Sequence, residues 1–287
     1  MLKLGVVFPI EFGNEPTLIR DFVQTIEGLG YDYILTYEQI VDTSSIQEPT
    51  IWQEPFTLLS YIAALTDRLG LATGVSVLSS RQTLLAAKQI AQLDRLCGGR
   101  LRLGVSAGWN ETEYQVAGID FASRGKRLNE QIPLLRKLWT DAYVTFTGDY
   151  HTLENVGIFP KPKQQPIPIW VGGYADVALK RAATLGDGWL ADADNQTPQS
   201  VAPKLDTLKR YAEAAGRNPE DIGLEIVDVR LEEQRDWAQW VQDWEAIGAG
   251  YISVTTRHAK LSTTQQHIEL FTKFIRAVVD PQGTSSL

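Results

Sequence analysis

Ile167-Pro168-Ile169-Trp170-Val171 runs straight into Gly172-Gly173-Tyr174 and on into the helical pattern Asp176–Leu185. The first five residues read as a short apolar strand. A strand that leaves a Gly-Gly pair at a helix start presents bare backbone N–H groups, and a phosphate fits there. The plainer reading of the pair is a tight strand-to-helix turn. A second stretch, Gly104-Val105-Ser106-Ala107-Gly108-Trp109, ends an earlier strand. Close packing would also account for its glycines. Side by side, the two stretches suggest one cofactor held by several strand ends, and so a parallel barrel enzyme.

Working outward, strand-like and helix-like segments alternate along the chain. Leu4–Phe8 is an apolar run, and Thr17–Leu29 repeats Leu18, Phe22, Ile26 and Leu29 at helical spacing. Pro16 suits the start of that helix and Gly30 its end. The pattern predicts further strands at Tyr31–Thr36, Leu69–Leu78, Leu101–Val105, Ile167–Val171, Gly188–Ala191, Ile222–Val229 and Tyr251–Thr255. Helices are expected at Pro55–Leu65, Gln82–Cys97, Asp176–Leu185, Ser200–Ala215, Glu233–Ile247 and Thr264–Val279. About eight strand–helix units make an α/β TIM (β/α)8 barrel the expected fold. An open doubly wound sheet would rarely need so many.

One region breaks the rhythm. From about 110 to 165 the chain carries helical stretches and a hairpin pattern, Val144–Thr147 and Tyr150–Leu153 around Gly148-Asp149. It reads as an insertion between strands 4 and 5, over one mouth of the barrel. The expected organisation is a single domain, 1–280, and a disordered tail, 281–287.

The bulk numbers agree with this. The chain has 287 residues, 44% of them hydrophobic, enough for a barrel and its core. A net charge of −8 argues against a general nucleic-acid or acidic-membrane surface. The single cysteine, Cys97, excludes an internal disulfide framework and fits a reducing, cytoplasmic setting. No signal-peptide pattern and no membrane-length apolar run is expected. The expected partner is a small-molecule substrate; a homodimer stays open.

In a parallel barrel the reactive groups sit at the C-terminal strand ends. That selects Phe8, Tyr37-Glu38-Gln39, Gly74-Val75-Ser76, Ser106–Trp109, Gly172–Tyr174, Ala191-Asp192 and Thr255-Thr256. Neither a GxGxxG nor a P-loop lysine motif is present. His151, His258 and His267 are scattered without ligand spacing, so no metal site is expected. Cys97 reads as a packed thiol. Trp237, Trp240, Val241 and Trp244 form a helical stripe suited to core packing. Arg124, Lys126 and Arg127 form either a solvated basic face or a clamp for an anionic tail.

With these residues in view, the chain resembles the bacterial luciferase-like flavin monooxygenase superfamily, and within it the branch of deazaflavin (F420)-dependent oxidoreductases. The resemblance is carried by Gly30-Tyr31-Asp32-Tyr33, Glu54-Pro55-Phe56, Thr73-Gly74-Val75, Arg81-Gln82-Thr83, Ala87-Lys88-Gln89 and Leu93-Asp94. It continues through Gly98–Val105, Gly108-Trp109-Asn110-Glu111, Arg124-Gly125, Leu138-Trp139, Pro168–Gly173 and Gly186-Asp187-Gly188-Trp189.

The resemblance implies F420, or alternatively FMN, in the barrel mouth. Gly74-Val75, joined by a cis peptide, would lie behind the tricyclic ring. Ala107, Gly108 and Trp109 would line its edge, and Gly172-Gly173 would hold the phosphate. Phe8 and Tyr174 complete the expected cofactor residues, and Tyr37, Trp52 and Phe56 the expected substrate pocket. The branch usually carries an Asp-His pair after the second strand, where this chain has Glu38-Gln39. Glutamine cannot act as acid or base near neutral pH. Glu38 and Gln39 are therefore the expected catalytic pair, Glu38 for proton transfer and Gln39 for orientation. The expected activity is hydride transfer to or from a small organic substrate. The alternatives are an FMN-dependent monooxygenase using oxygen and a flavin-binding protein without turnover.

Overall fold

The alternation closes into a parallel barrel surrounded by helices. The structure is a computed structural model and describes residues 2–10, 15–42, 52–193, 196–231, 236–257 and 259–279. The expected tail, His258 and the start of the helix expected at Glu233 lie outside the described residues. In chain order the elements are β1 (Lys3–Val7), α1 (Pro16–Gly28), β2 (Tyr33–Thr36), α2 (Pro55–Leu65), β3 (Gly70–Thr73), α3 (Thr83–Leu96) and β4 (Leu101–Val105). Next come α4 (Glu111–Val116), α5 (Arg124–Thr140), β5 (Val144–Thr147) and β6 (Thr152–Val156). The last are β7 (Ile169–Gly172), α6 (Asp176–Leu185), β8 (Gly188–Asp192), α7 (Pro198–Ala214), β9 (Gly223–Arg230), α8 (Trp237–Ala246), β10 (Tyr251–Thr255) and α9 (Thr264–Val279). Around the barrel the order is β1, β2, β3, β4, β7, β8, β9, β10 and back to β1.

Strand parity decides what faces the barrel axis. On β1, Leu4 and Val6 join the large outer core under the helices, while Val7 joins an inner cluster with Tyr33, Leu35, Ala72, Trp170, Leu190 and Val227. The lower interior holds a charge. Arg102 and Glu225 form an ion pair there, and the Tyr33 hydroxyl donates to Glu225 Oε1 at 2.6 Å. The Arg102 guanidinium lies 4.9, 4.5 and 4.3 Å from the ring centres of Tyr33, Trp170 and Tyr251. Glycines make room for these rings: a Cβ on Gly5 would sit 2.3 Å from the Tyr33 ring, and one on Gly188 2.3 Å from Trp170.

Two sequence expectations change. The third strand ends at Thr73 rather than Leu78. Beyond it Ser76 makes a single bridge to Val105, and Leu78–Ser80 turn into a buried 3-10 helix. The chain leaves the sheet there because side-chain oxygens replace the ladder as acceptors: Val77 N donates to Glu38. The segment between β4 and β7 also divides. Its helix α4 follows the strand-end loop directly, but the hairpin β5–β6 lies on the flank. His151, at the start of the returning strand, bonds Thr83 on α3 and Glu130 on α5, each at 2.6 Å. The tryptophan stripe packs as expected, with Trp244 fully buried and Trp237 edge-on to Phe274 of α9 at 5.7 Å.

A carboxylate ties α1 to the entrance of β3. Glu27 Oε1 accepts from the backbone N–H groups of Asp67, Arg68 and Leu69 at 3.0, 2.7 and 2.8 Å. Burial opposes the charged form, but those N–H groups outweigh it and hold the pKa below the usual glutamate value. A depressed carboxylate contributes stability above its unfolded pKa and loses it as pH falls through its folded pKa. Glu27→Ala should therefore cost about 1 kcal/mol near neutral pH, a Tm loss of roughly 2–4 °C. The gap between parent and variant should close as pH falls below the glutamate range. Thermal melts across that range check it.

Candidate active site at the barrel mouth

The C-terminal ends of β2, β3, β4 and β7 build the floor of the mouth. Gly74 N still donates to Thr36 O at 2.9 Å, and the Gly74–Val75 peptide is cis, as the resemblance implies. Inward-facing glycines keep this floor low. A Cβ on Gly74 would sit 2.4 Å from Leu35, and one on Gly104 2.6 Å from Leu190 and 2.0 Å from the Thr73 carbonyl. A Cβ on Gly172 would sit 2.8 Å from Val75 Cγ1. Leu35, Leu190 and Val75 therefore present an apolar surface that no side chain from these glycine positions interrupts. Such a surface accepts a flat ring.

The rim is polar. Gly108 has φ of 66° and its N–H meets Ser106 Oγ at 3.1 Å. The buried Tyr114 hydroxyl donates to the Ala107 carbonyl and also meets Ser79 Oγ at 2.6 Å. Asn110 caps α4 through Oδ1, which accepts from Thr112 N at 3.1 Å. Its Nδ2 is buried without a hydrogen-bond partner among the described residues. Gly173 has φ of 116°, a left-handed value that glycine alone adopts readily, and its carbonyl accepts from Trp189 Nε1 at 3.0 Å. Tyr174 packs edge-on against Trp189 and donates to the Asp192 carbonyl, and burial, then Asp192, pushes its phenol pKa up.

Beside this rim, arginines gather at the first turn of α5. Arg124 lies over the Phe121 ring at 3.7 Å, and Arg127 Nε donates to Ser79 O at 3.4 Å. Arg181, on the helix that the Gly172-Gly173 turn opens, is buried and donates to Asn129 Oδ1 (2.6 Å) and Gly125 O (3.1 Å). Burial lowers its pKa. Among the described residues none of the three pairs with a carboxylate. Guanidinium charge without a carboxylate partner, beside a glycine turn, suits an anionic ligand.

The catalytic pair expected from the sequence sits at the end of β2, but Glu38 is heavily engaged. Oε2 accepts from Ser76 Oγ (2.7 Å) and Val77 N (2.6 Å), and Oε1 accepts from Arg81 Nε (2.7 Å) and Nη2. Its side chain is 1% exposed. The half-buried Gln39 donates from Nε2 to Val41 O at 3.0 Å. Tyr37 and Trp52 meet edge to face at 6.1 Å, with the Arg257 guanidinium 5.4 Å from the Trp52 ring centre.

Other expected residues lie elsewhere. Phe8 is buried on the outer side, its ring 5.9 Å from Phe22 of α1, because parity turns it away from the axis. Phe56 is buried beneath the Arg81 guanidinium at 4.7 Å. Trp109, by contrast, directly follows Gly108 at the rim and is 78% exposed. Sequence reading missed Arg81 as the partner of Glu38, Arg181 and Asn110. Arg81 and Asn110 stand in motifs that carry the resemblance, and Arg181 is a basic residue on the helix after the Gly-Gly pair, but their partners could not be read from spacing.

The molecule thus combines a parallel barrel, a glycine-cleared mouth at its strand ends and, among the described residues, an arginine rim without carboxylate partners. The family described as luciferase-like monooxygenase matches residues 2–230, and the chain belongs to that family of oxidoreductases and monooxygenases. An uncharacterized protein of Mycobacterium tuberculosis, Rv0940c, is 39% identical over 177 residues, which is 61% of this chain and 60% of the relative. The chain thus spans about three fifths of that relative's length. Pyrimidine monooxygenase RutA of Escherichia coli is 27% identical over 273 residues, 87% of this chain and 69% of RutA. The solved structure of an F420-dependent secondary alcohol dehydrogenase with an F420-acetone adduct superposes with a TM-score of 0.79. It is 16% identical and covers 96% of this chain and 99% of its own. No helix among the described residues is long and apolar enough to cross a membrane.

Proposed function

We propose that the mouth binds a phosphorylated tricyclic cofactor, F420 in preference to FMN, and that the protein is an oxidoreductase acting on a small organic molecule. One observation carries this reading: the apolar floor cleared by Gly74, Gly104 and Gly172 lies beside an arginine cluster that lacks carboxylate partners among the described residues. The residues fit the group. Val75 backs the ring, the Gly172-Gly173 turn and the nearby guanidinium groups receive the phosphate, and Asn110 Nδ2 offers a donor. Once bound, the cofactor supplies the hydride or electron chemistry. The chain orients it and excludes water from its inner face. Tyr37 and Trp52 give the substrate an aromatic wall. The F420 dehydrogenase neighbour supports the deazaflavin. RutA, matched over 87% of this chain, supports the second reading, an FMN-dependent monooxygenase.

The arginine cluster gives the test. Each charge-assisted hydrogen bond to a phosphate is worth about 1.5–3 kcal/mol, so Arg124→Ala should weaken cofactor binding by roughly 10–100-fold. Raising salt from low to moderate should weaken the parent more than the variant, since the variant has lost part of the screened attraction. Fluorescence titrations at two ionic strengths measure both. An Arg124→Ala affinity equal to the parent's at either salt would remove the arginine rim from the site.

A further inference from the structure

We propose that Glu38 is a positioning residue, clamped by Arg81, that sets the height of Val75 behind the cofactor ring and takes no part in proton transfer. The inference rests on the proposed function in one respect only, that a ring lies on Val75. A carboxylate has about four lone-pair sites, and Glu38 has four donors on them: Ser76 Oγ, Val77 N, Arg81 Nε and Arg81 Nη2. No lone pair is left to take a proton from a substrate. Two of those donors belong to the residues directly after Val75.

The other side of the same segment is fixed by backbone. Ser76 N donates to Gly104 O at 2.8 Å, and Ser106 N donates to Ser76 O at 3.0 Å. Glu38 thus closes the second side of a short loop whose first side is already sewn to β4. Val75 Cγ1, carried on that loop, occupies the space a Cβ on Gly172 would need. Arg81 is itself held from a second direction. Its Nη2 reaches Glu54 Oε1 at 2.7 Å, Glu54 caps α2 through Thr57 N at 2.7 Å, and the guanidinium stacks over Phe56. The two carboxylates outweigh burial and raise the Arg81 pKa, so the clamp stays charged. The neighbouring Gln39 cannot supply the proton either, and its amide is tied to Val41 O. The proton balance of the reaction then falls to the substrate or solvent.

The test uses the full chain and the variants Glu38→Gln, Arg81→Gln, the double variant and the milder Ser76→Ala. Hydrogen exchange without cofactor comes first. The Val77 amide should exchange at least about tenfold faster in Glu38→Gln and Arg81→Gln, because its acceptor is no longer held. Next, F420 and FMN are titrated, following the visible absorption band. Both single variants should shift the bound band and weaken binding about tenfold, with the double variant no worse than either, as expected of one unit. Ser76→Ala should shift the band in the same direction by less. The pH profile of turnover should keep every limb in Glu38→Gln. Unchanged exchange at Val77, or a bound band in Ser76→Ala and Glu38→Gln identical to the parent's, overturns the clamp. So does loss of one pH limb in Glu38→Gln at parental affinity, which would make Glu38 the proton carrier. A parent that binds neither cofactor instead overturns the functional reading, while the exchange result still judges the clamp on its own.

Discussion

Glu225→Ala should remove a large share of the protein's folding stability. The variant strands the Arg102 guanidinium in the barrel interior among Tyr33, Trp170 and Tyr251, with its ion-pair partner gone. Removing one partner of a buried pair costs about 3–5 kcal/mol, against a total stability of about 5–15 kcal/mol. Tyr33 adds to the loss, since its hydroxyl donates to Glu225 at 2.6 Å. Burial, then the Glu225 charge, keeps that phenol protonated, so it needs an acceptor. The pair itself is replaceable in principle. Glu225→Leu combined with Arg102→Met removes both charges and should recover part of the lost stability, the Tyr33 hydroxyl still lacking its acceptor. Chemical denaturation of the single and double variants measures the difference. A single variant as stable as the parent would mean that water or another group reaches Arg102.

The second large effect is expected at the mouth. A Cβ at position 172 already comes within 2.8 Å of Val75 Cγ1, so Gly172→Val must push Val75 or fill the space above it. Gly172 is only half-buried, and stability should fall by no more than about 1–3 kcal/mol. Cofactor affinity should fall far more, by about 100-fold or beyond, equivalent to at least about 2.8 kcal/mol at 1.4 kcal/mol per decade. The contrast separates this site from an ordinary packing position. Calorimetric titration beside a thermal melt reads both quantities. A variant that melts early yet binds as the parent does would place the ligand elsewhere.

The barrel was legible because each strand's apolar run is short and each helix carries an amphipathic repeat, so Pro55–Leu65, Asp176–Leu185 and Thr264–Val279 emerge with their observed bounds. The glycines of the mouth were legible for a similar reason: a missing side chain is itself a sequence signal. Charge pairing was not. Arg81 lies 43 residues from Glu38, and Arg102 lies 123 residues from Glu225. The first pair meets because β2 and β3 lie side by side, the second only when the barrel closes and sets β4 opposite β9. Glu38 therefore looked like a free carboxylate at a strand end. Phe8 was misplaced for a simpler reason. Counting parity from Val7, which faces inward, turns Phe8 outward toward Phe22. The hairpin was recognised as a hairpin, but its seat on the flank depends on His151, Thr83 and Glu130 meeting, which spacing does not show.

Equilibrium binding of F420 and of FMN to the parent chain, with Gly172→Val as the control, tests the central claim most directly. The mouth described here predicts saturable binding of both, tighter for F420, and abolished or at least about 100-fold weaker in the control. No saturable binding of either cofactor to the parent, or equal binding to parent and control, would contradict it.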